Sequence, residues 1–162
     1  VLRIADTRGH AKPYIYSKNE SMPSASTAIE QLIPHRAPFL FADEISSATP
    51  EEIIGLKTFS DGADSMLKGS FPEFGFVPGV ILMESMAQCG GAGIKVLGLA
   101  DGLFALASIE TATFLAGTPY NEEVKYVIKN IRVTDKMIKQ SGVAYVHDKP
   151  VLEARWLCVK IE

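Results

Sequence analysis

The residues of this chain that can carry chemistry gather around one acid. Glu84 lies in VPGVILMESMAQCGG (77–91), an apolar run in which Met83 and Met86 flank it. An ionised carboxylate there costs several kcal/mol unless it is paired, and burial favours the protonated form that a general acid needs. Gln88 stands one helical turn further on, on the same face, and is placed to hydrogen-bond it. Pro78 suits a helix start, where its missing N–H is no loss. Gly79 lets a substrate approach the backbone closely, at the end of a helix that favours negative charge developing on an oxygen. Together these residues suit a carbonyl group beside a proton in transit.

A second proton carrier is harder to find. No histidine occurs in LKGSFPEFGFVPGVILMESMAQCGG (67–91). Ser70 is there, but a serine hydroxyl is too weak to abstract a carbon-bound proton near neutrality without a base of its own. Losing a positioned base costs about 10²–10⁴ in rate. None of the three histidines obviously replaces it: His35 in PHRAP, or an ordered water, is a candidate substitute, while His147 in a turn and His10 near the start are expected in ordinary roles.

The elements that must position these groups follow from pattern and punctuation. Residues 26–33 begin with a Thr27-x-x-Glu30 capping box and stop before Pro34, predicting a short helix. FLFADEIS (39–46) and EIIGLKTF (52–59) have the branched and aromatic residues of strands, with a turn between them. From Pro78 to about Leu97 the apolar and small residues run on too long for a strand and show no polar face, predicting a helix buried nearly all round. Gly90, Gly91 and Gly93 weaken that helix, so close packing of the sheet, or of a partner's helix, against this turn is expected. Strands follow at 103–114, 124–133, 141–146 and 151–161, the last two joined by the HDKP turn. One buried helix and five or six mostly antiparallel strands make an α+β domain in which a curled sheet wraps the helix. That domain is expected over 26–162, after an extension at 1–25.

Composition closes off other classes. With 162 residues, 47% of them hydrophobic, the chain suits one domain. A formal charge of −3 recommends neither nucleic acid nor an anionic membrane. Cys89 and Cys158 are far apart and, with three scattered histidines, offer neither a disulfide framework nor metal-ligand spacing. No metal or cofactor is expected, and a reducing cytoplasm is the simplest location. The most apolar window, 76–100, fails as a membrane span because Glu84, Gln88 and Lys95 interrupt it and five glycines weaken it. No signal-peptide pattern opens the chain, and the missing initial Met suggests a trimmed start.

LIPHRAPFLFADEI (32–45), followed by GSFPEFGFVPGVILMESMAQCGG (69–91), resembles the two signature segments of the FabZ-type 3-hydroxyacyl-ACP dehydratases, which have the hotdog fold. The resemblance covers about residues 28–162. It implies removal of water from a 3-hydroxyacyl thioester on acyl carrier protein or coenzyme A, in fatty-acid or polyketide-type synthesis. A histidine takes the proton beside the thioester carbonyl, a glutamate across a dimer interface handles the hydroxyl, and a helix-start N–H polarises the carbonyl. Carried onto this chain, the glutamate is Glu84, the N–H is that of Gly79, and the histidine position is Ser70. Phe71, Pro78 and Gln88 complete the implied substrate-binding set. Glu73 and Gly75 replace the family's Gly and Pro in the adjoining loop, and Thr113, Phe114, Leu115 and Ala116 replace a basic run that would attract acidic carrier protein. Lys125, Lys129, Arg132, Lys136 and Lys139 form a weaker basic patch. The expected protein is a homodimer, or a higher oligomer of dimers, with weak or no activity alone. The alternatives are an acyl-chain-binding subunit, a heterodimer partner supplying Glu84, and a thioesterase that uses the same acid and helix start.

Overall fold

The computed structural model of the chain describes residues 3–5, 11–13, 29–64, 67 and 69–161. Two short strands, β1 (Arg3–Ala5) and β2 (Ala11–Pro13), pair antiparallel. The remainder is built on β3 (Glu44–Ala48), β4 (Glu52–Thr58), β5 (Phe76–Val77), the helix α1 (Gly79–Leu97), β6 (Phe104–Phe114), β7 (Thr118–Pro119), β8 (Glu123–Val133), β9 (Met137–Val146) and β10 (Lys149–Lys160). Six strands form one antiparallel sheet in the order β3-β4-β8-β9-β10-β6. This is the α+β arrangement that the sequence predicts.

The sheet curls around α1 because its inner face alternates along every central strand. Val124, Tyr126 and Ile128 of β8 are buried, as are Leu152, Ala154 and Trp156 of β10. One row across the sheet runs Ile53, Ile128, Gly142, Ala154. The small members of that row admit the helix: a Cβ on Gly142 would stand 2.7 Å from the Met86 sulfur, which is fully buried. Gly55 does the same for Cys89. Each fully buried Leu, Ile or Met on this helix contributes roughly 1.5–3 kcal/mol.

The helix starts at Pro78, whose carbonyl accepts from Ile81 N at 2.9 Å, and ends at Gly98, whose φ of 63° suits glycine. Long and apolar enough to cross a membrane, with mean hydropathy 1.2, it is instead the core helix of this sheet.

Several local expectations shift. Phe39–Asp43 precedes β3 as irregular chain, because its backbone groups bond to α1 and to β4 side by side (Asp43 N to Leu56 O, 3.0 Å) and not to a ladder. Ile29–Ile33 forms one helical turn, with Ile33 N donating to Ile29 O at 3.1 Å, while Thr27 of the capping box lies outside the described residues. The β5–β7 pair, which ties the segment before α1 to the one after β6, carries too short a signal to be read from sequence. Among the described residues β6 is an edge strand: only β10 pairs with it, and Leu106, Ile109 and Phe114 are exposed on it.

Candidate active site

Glu84 does not sit in a sealed apolar helix. Its side chain is 21% exposed and is met by two polar groups from the same chain. Gln88 Nε2 donates to Glu84 Oε1 at 2.9 Å, as the helical spacing predicts. The same amide donates to Phe39 O at 3.1 Å, and its oxygen accepts from Phe41 N at 2.8 Å. Both amide hydrogens and the oxygen are therefore in use, and the reverse orientation would set the oxygen against two acceptors. Ser85 Oγ adds a bond to Phe41 O at 2.5 Å. Two residues of α1 thus clamp the 39–41 segment to the helix.

That clamp, with the Arg36 guanidinium, sets the position of His35. Arg36 Nη1 donates to Ile33 O at 2.9 Å and to His35 O at 2.7 Å. The imidazole stacks on Phe39, with centroids 6.3 Å apart, and its Nε2 lies 3.6 Å from Glu84 Oε1. Its Nδ1 is buried with no hydrogen-bond partner among the described residues. A histidine 49 residues away in sequence is therefore the titratable neighbour of Glu84.

Both groups line a cavity of about 320 Å³. Its floor is one face of α1, with Glu84, Ala87, Gln88, Gly91, Ile94 and Lys95 in register. At 1.5 Å per residue this face spans roughly 16 Å. Leu103, Phe104 and Leu106 form a wall from the start of β6, and Ile138 and Cys158 form another from β9 and β10. The far end carries Lys95, whose Nζ donates to Gly102 O at 2.8 Å. An elongated apolar space with polar groups at its ends is shaped for an aliphatic chain with a functional group at Glu84. Burial, with the Glu84 charge adding to it, pushes the Cys158 thiol up to about 11, so it is a protonated wall residue at neutral pH.

The glycines of α1 divide accordingly. A Cβ at Gly90 would overlap the Gln140 side chain, and one at Gly93 would overlap Ile53, so both are required by packing. Gly91 is different: a Cβ there would meet nothing within 4 Å, because the residue faces the cavity. Packing within the chain accounts for Gly90 and Gly93 and not for Gly91.

The other residues singled out from sequence lie elsewhere. Ser70, Phe71, Pro78 and Gly79 do not line this cavity. Ser70 is in a turn, its N–H bonded to Leu67 O at 3.0 Å, and Phe71 is 77% exposed at a φ of 50°. Gly79 is covered by Phe114, whose ring would be 2.6 Å from a Cβ there. Phe114 and Leu115, which stand where the resembled family has a basic run, are exposed, as are Phe71, Phe74 and Phe76, whose rings pack in series. In the weaker basic patch Lys139 pairs with Glu110 at 2.6 Å and Lys129 faces Glu52 across the strands. His147 pairs with Glu122 at 2.9 Å in the hairpin turn, and His10 lies outside the described residues. Both cysteines are free, and among the described residues no cluster could hold a metal ion. Sequence reading missed the cavity wall at 103–106, Cys158 and the special place of Gly91; a glycine triplet only partly explained by packing was the available signal.

A relative, the 3-hydroxyacyl-acyl-carrier-protein dehydratase FabZ of Thermotoga petrophila, is 31% identical over 129 residues, covering 80% of this chain and 92% of the relative. The chain belongs to the FabZ dehydratase family. No family model matches it. Among solved structures, a chain of the dehydratase heterocomplex ApeI:P from Xenorhabdus doucetiae superposes with a TM-score of 0.71 at 18% identity, covering 83% of this chain and 91% of that one. A hypothetical thioesterase with coenzyme A from Streptococcus pneumoniae superposes at 0.58 and 12% identity, covering 86% and 95%. These likenesses establish the hotdog fold, and FabZ kinship places the chain among proteins of acyl-thioester chemistry.

Proposed function

We propose that this FabZ homologue binds the acyl group of a thioester along α1 and presents Glu84 to the 3-hydroxyl, as the acid of a dehydratase-type site. The observation that carries the reading is the cavity itself, with Glu84 held by Gln88 at one end of a roughly 16 Å apolar face. The acid, positioned and partly desolvated, is suited to protonating a leaving hydroxyl. By family resemblance the thioester carbonyl meets the Gly79 N–H beside Phe71 and Pro78; these three lie outside the cavity, with Gly79 beneath the Phe114 ring, so this contact requires that ring to move aside.

The family histidine position is taken by Ser70, so a base must come from another residue or another chain. Activity well below the family's, by about 10²–10⁴, follows if no group fully replaces it. Among the described residues the outer edge of β6 is unpaired, which supports a dimer through that edge, with itself or with a homologue that retains the histidine, and the neighbour described as a dehydratase heterocomplex supports the second form. The thioester donor is acyl carrier protein or coenzyme A, in a soluble cytoplasmic setting.

The test is turnover of 3-hydroxyacyl and 2-enoyl thioesters by the purified chain, with simple hydrolysis followed beside it. Loss of dehydration in Glu84→Ala, and a gain in Ser70→His, are expected. Release of free thiol without enoyl product would instead make the protein a thioesterase, and failure to bind any acyl thioester would overturn the reading. Co-purification with a homologue that keeps the histidine, with activity greater than either chain alone, tests the mixed dimer.

A further inference from the structure

We propose that His35 is the proton-accepting partner of Glu84 within the same chain, and that whatever dehydration this protein performs runs through the two together. The inference rests on the acyl-thioester reading above and names the base that the reading leaves open.

Three observations converge. His35 Nε2 is 3.6 Å from Glu84 Oε1, and both line the cavity. One amide positions both: Gln88 bonds Glu84 directly and fixes the carbonyl of Phe39, on whose ring the imidazole stacks. Finally, among the described residues Nδ1 is buried without a partner, so none of their carboxylates or carbonyls locks the ring into one tautomer. An imidazole held by stacking and backbone, with one nitrogen facing a carboxyl group, is free to exchange a proton with that group in either direction. His147, by contrast, is exposed and paired with Glu122, away from the cavity.

The step balances with no further reactant. Neutral His35 takes the proton from C2 of the 3-hydroxyacyl thioester, the electron pair of that C–H bond becomes the C2–C3 double bond, and the C3–O bond breaks. Protonated Glu84 gives its proton to the departing hydroxyl, which leaves as water. The products are a 2-enoyl thioester, an imidazolium and a carboxylate. One proton passed from His35 back to Glu84 restores the pair.

The experiment follows a 3-hydroxydecanoyl pantetheine thioester with the full chain, the variants His35→Asn, His35→Ala and Glu84→Gln, and added imidazole. The expected results are a fall in kcat of about 10²-fold or more in His35→Asn with KM little changed, and partial return of kcat in His35→Ala with imidazole. In the wild-type fold, the imidazole nitrogen resonances of His35 should respond to Glu84→Gln while those of His147 stay in place. This second measurement decides the matter even where a His35 variant does not fold. Wild-type kcat in His35→Asn, no response of His35 to Glu84→Gln, or a wild-type chain that binds the thioester without turnover would each overturn the inference and leave the acyl-binding reading standing. A chain that binds no acyl thioester overturns both.

Discussion

Replacing Gly91 by alanine should make this protein more stable, although the residue lies in the middle of its core helix. A glycine in a helix interior costs about 1 kcal/mol relative to alanine, and at position 91 the new methyl meets nothing within 4 Å. For a chain of this length 1 kcal/mol moves Tm by about 2–4 °C, so Gly91→Ala should melt that much higher. The same change at Gly93 drives a methyl into Ile53, where overpacking costs about 1–3 kcal/mol and cancels or exceeds the gain. At Gly90 the methyl overlaps Gln140, whose amide donates to Asn130 Oδ1 at 2.8 Å, so Tm should fall or stay level. Thermal melts followed by circular dichroism check the order. Gly91→Phe then tests what the space is for, since a ring there obstructs the cavity beyond Gln88. Binding of long acyl thioesters should weaken much more than binding of four-carbon ones. A Gly91→Ala protein that melts as low as Gly93→Ala, or a Gly91→Phe protein that binds long chains as wild type does, would refute the placement of the cavity.

Gln88→Leu leaves Phe41 N, Phe39 O and Glu84 without their shared partner; at about 1–3 kcal/mol for each buried group left unpaired, a loss near 3 kcal/mol is expected, seen as a Tm about 6–12 °C lower. Asp43→Ala strands the buried Lys57 ammonium, which Asp43 Oδ1 meets at 2.9 Å, and should lower the urea midpoint, whereas Asp43→Ala with Lys57→Met should recover part of the loss. Alkaline pH should destabilise the fold through Cys158. Its proton leaves near 9 in the unfolded chain and near 11 in the folded one, so above 9 the folded state binds more protons and stability falls as pH rises, by at most about 3 kcal/mol by pH 11. Denaturant titrations from pH 8 to 11 on wild type and Cys158→Ala measure it, with the variant less sensitive. The fully buried Cys89 thiol, pushed up chiefly by burial, should resist alkylation until the protein unfolds.

Much of the frame was legible because the signals are local. The unbroken apolar run bounded by Pro78 and Gly98 encodes α1, and the alternation of β10 with its HDKP turn encodes the closing hairpin, whose His147 and Asp148 take positive φ. The Glu84–Gln88 bond was legible for the same reason, being one helical turn long. What sequence reading could not supply depends on contacts between distant segments. His35 reaches Glu84 only because Gln88 and Ser85 draw residues 39–41 onto the helix, and no periodicity records that. Gly91 differs from Gly90 and Gly93 only in what lies opposite it, which is settled by how far β6 and β10 stand from the helix. The exposed length of β6 was hidden too, since an apolar edge strand and a buried one are composed alike.

The most direct test of the central claim is a structure of this chain bound to a stable amide analogue of a 3-hydroxydecanoyl pantetheine thioester. The account predicts the aliphatic chain laid along Ala87, Gly91 and Ile94 towards Lys95, with the 3-hydroxyl within hydrogen-bond reach of Glu84. An acyl chain seated elsewhere, with the cavity empty and Glu84 untouched, would contradict it.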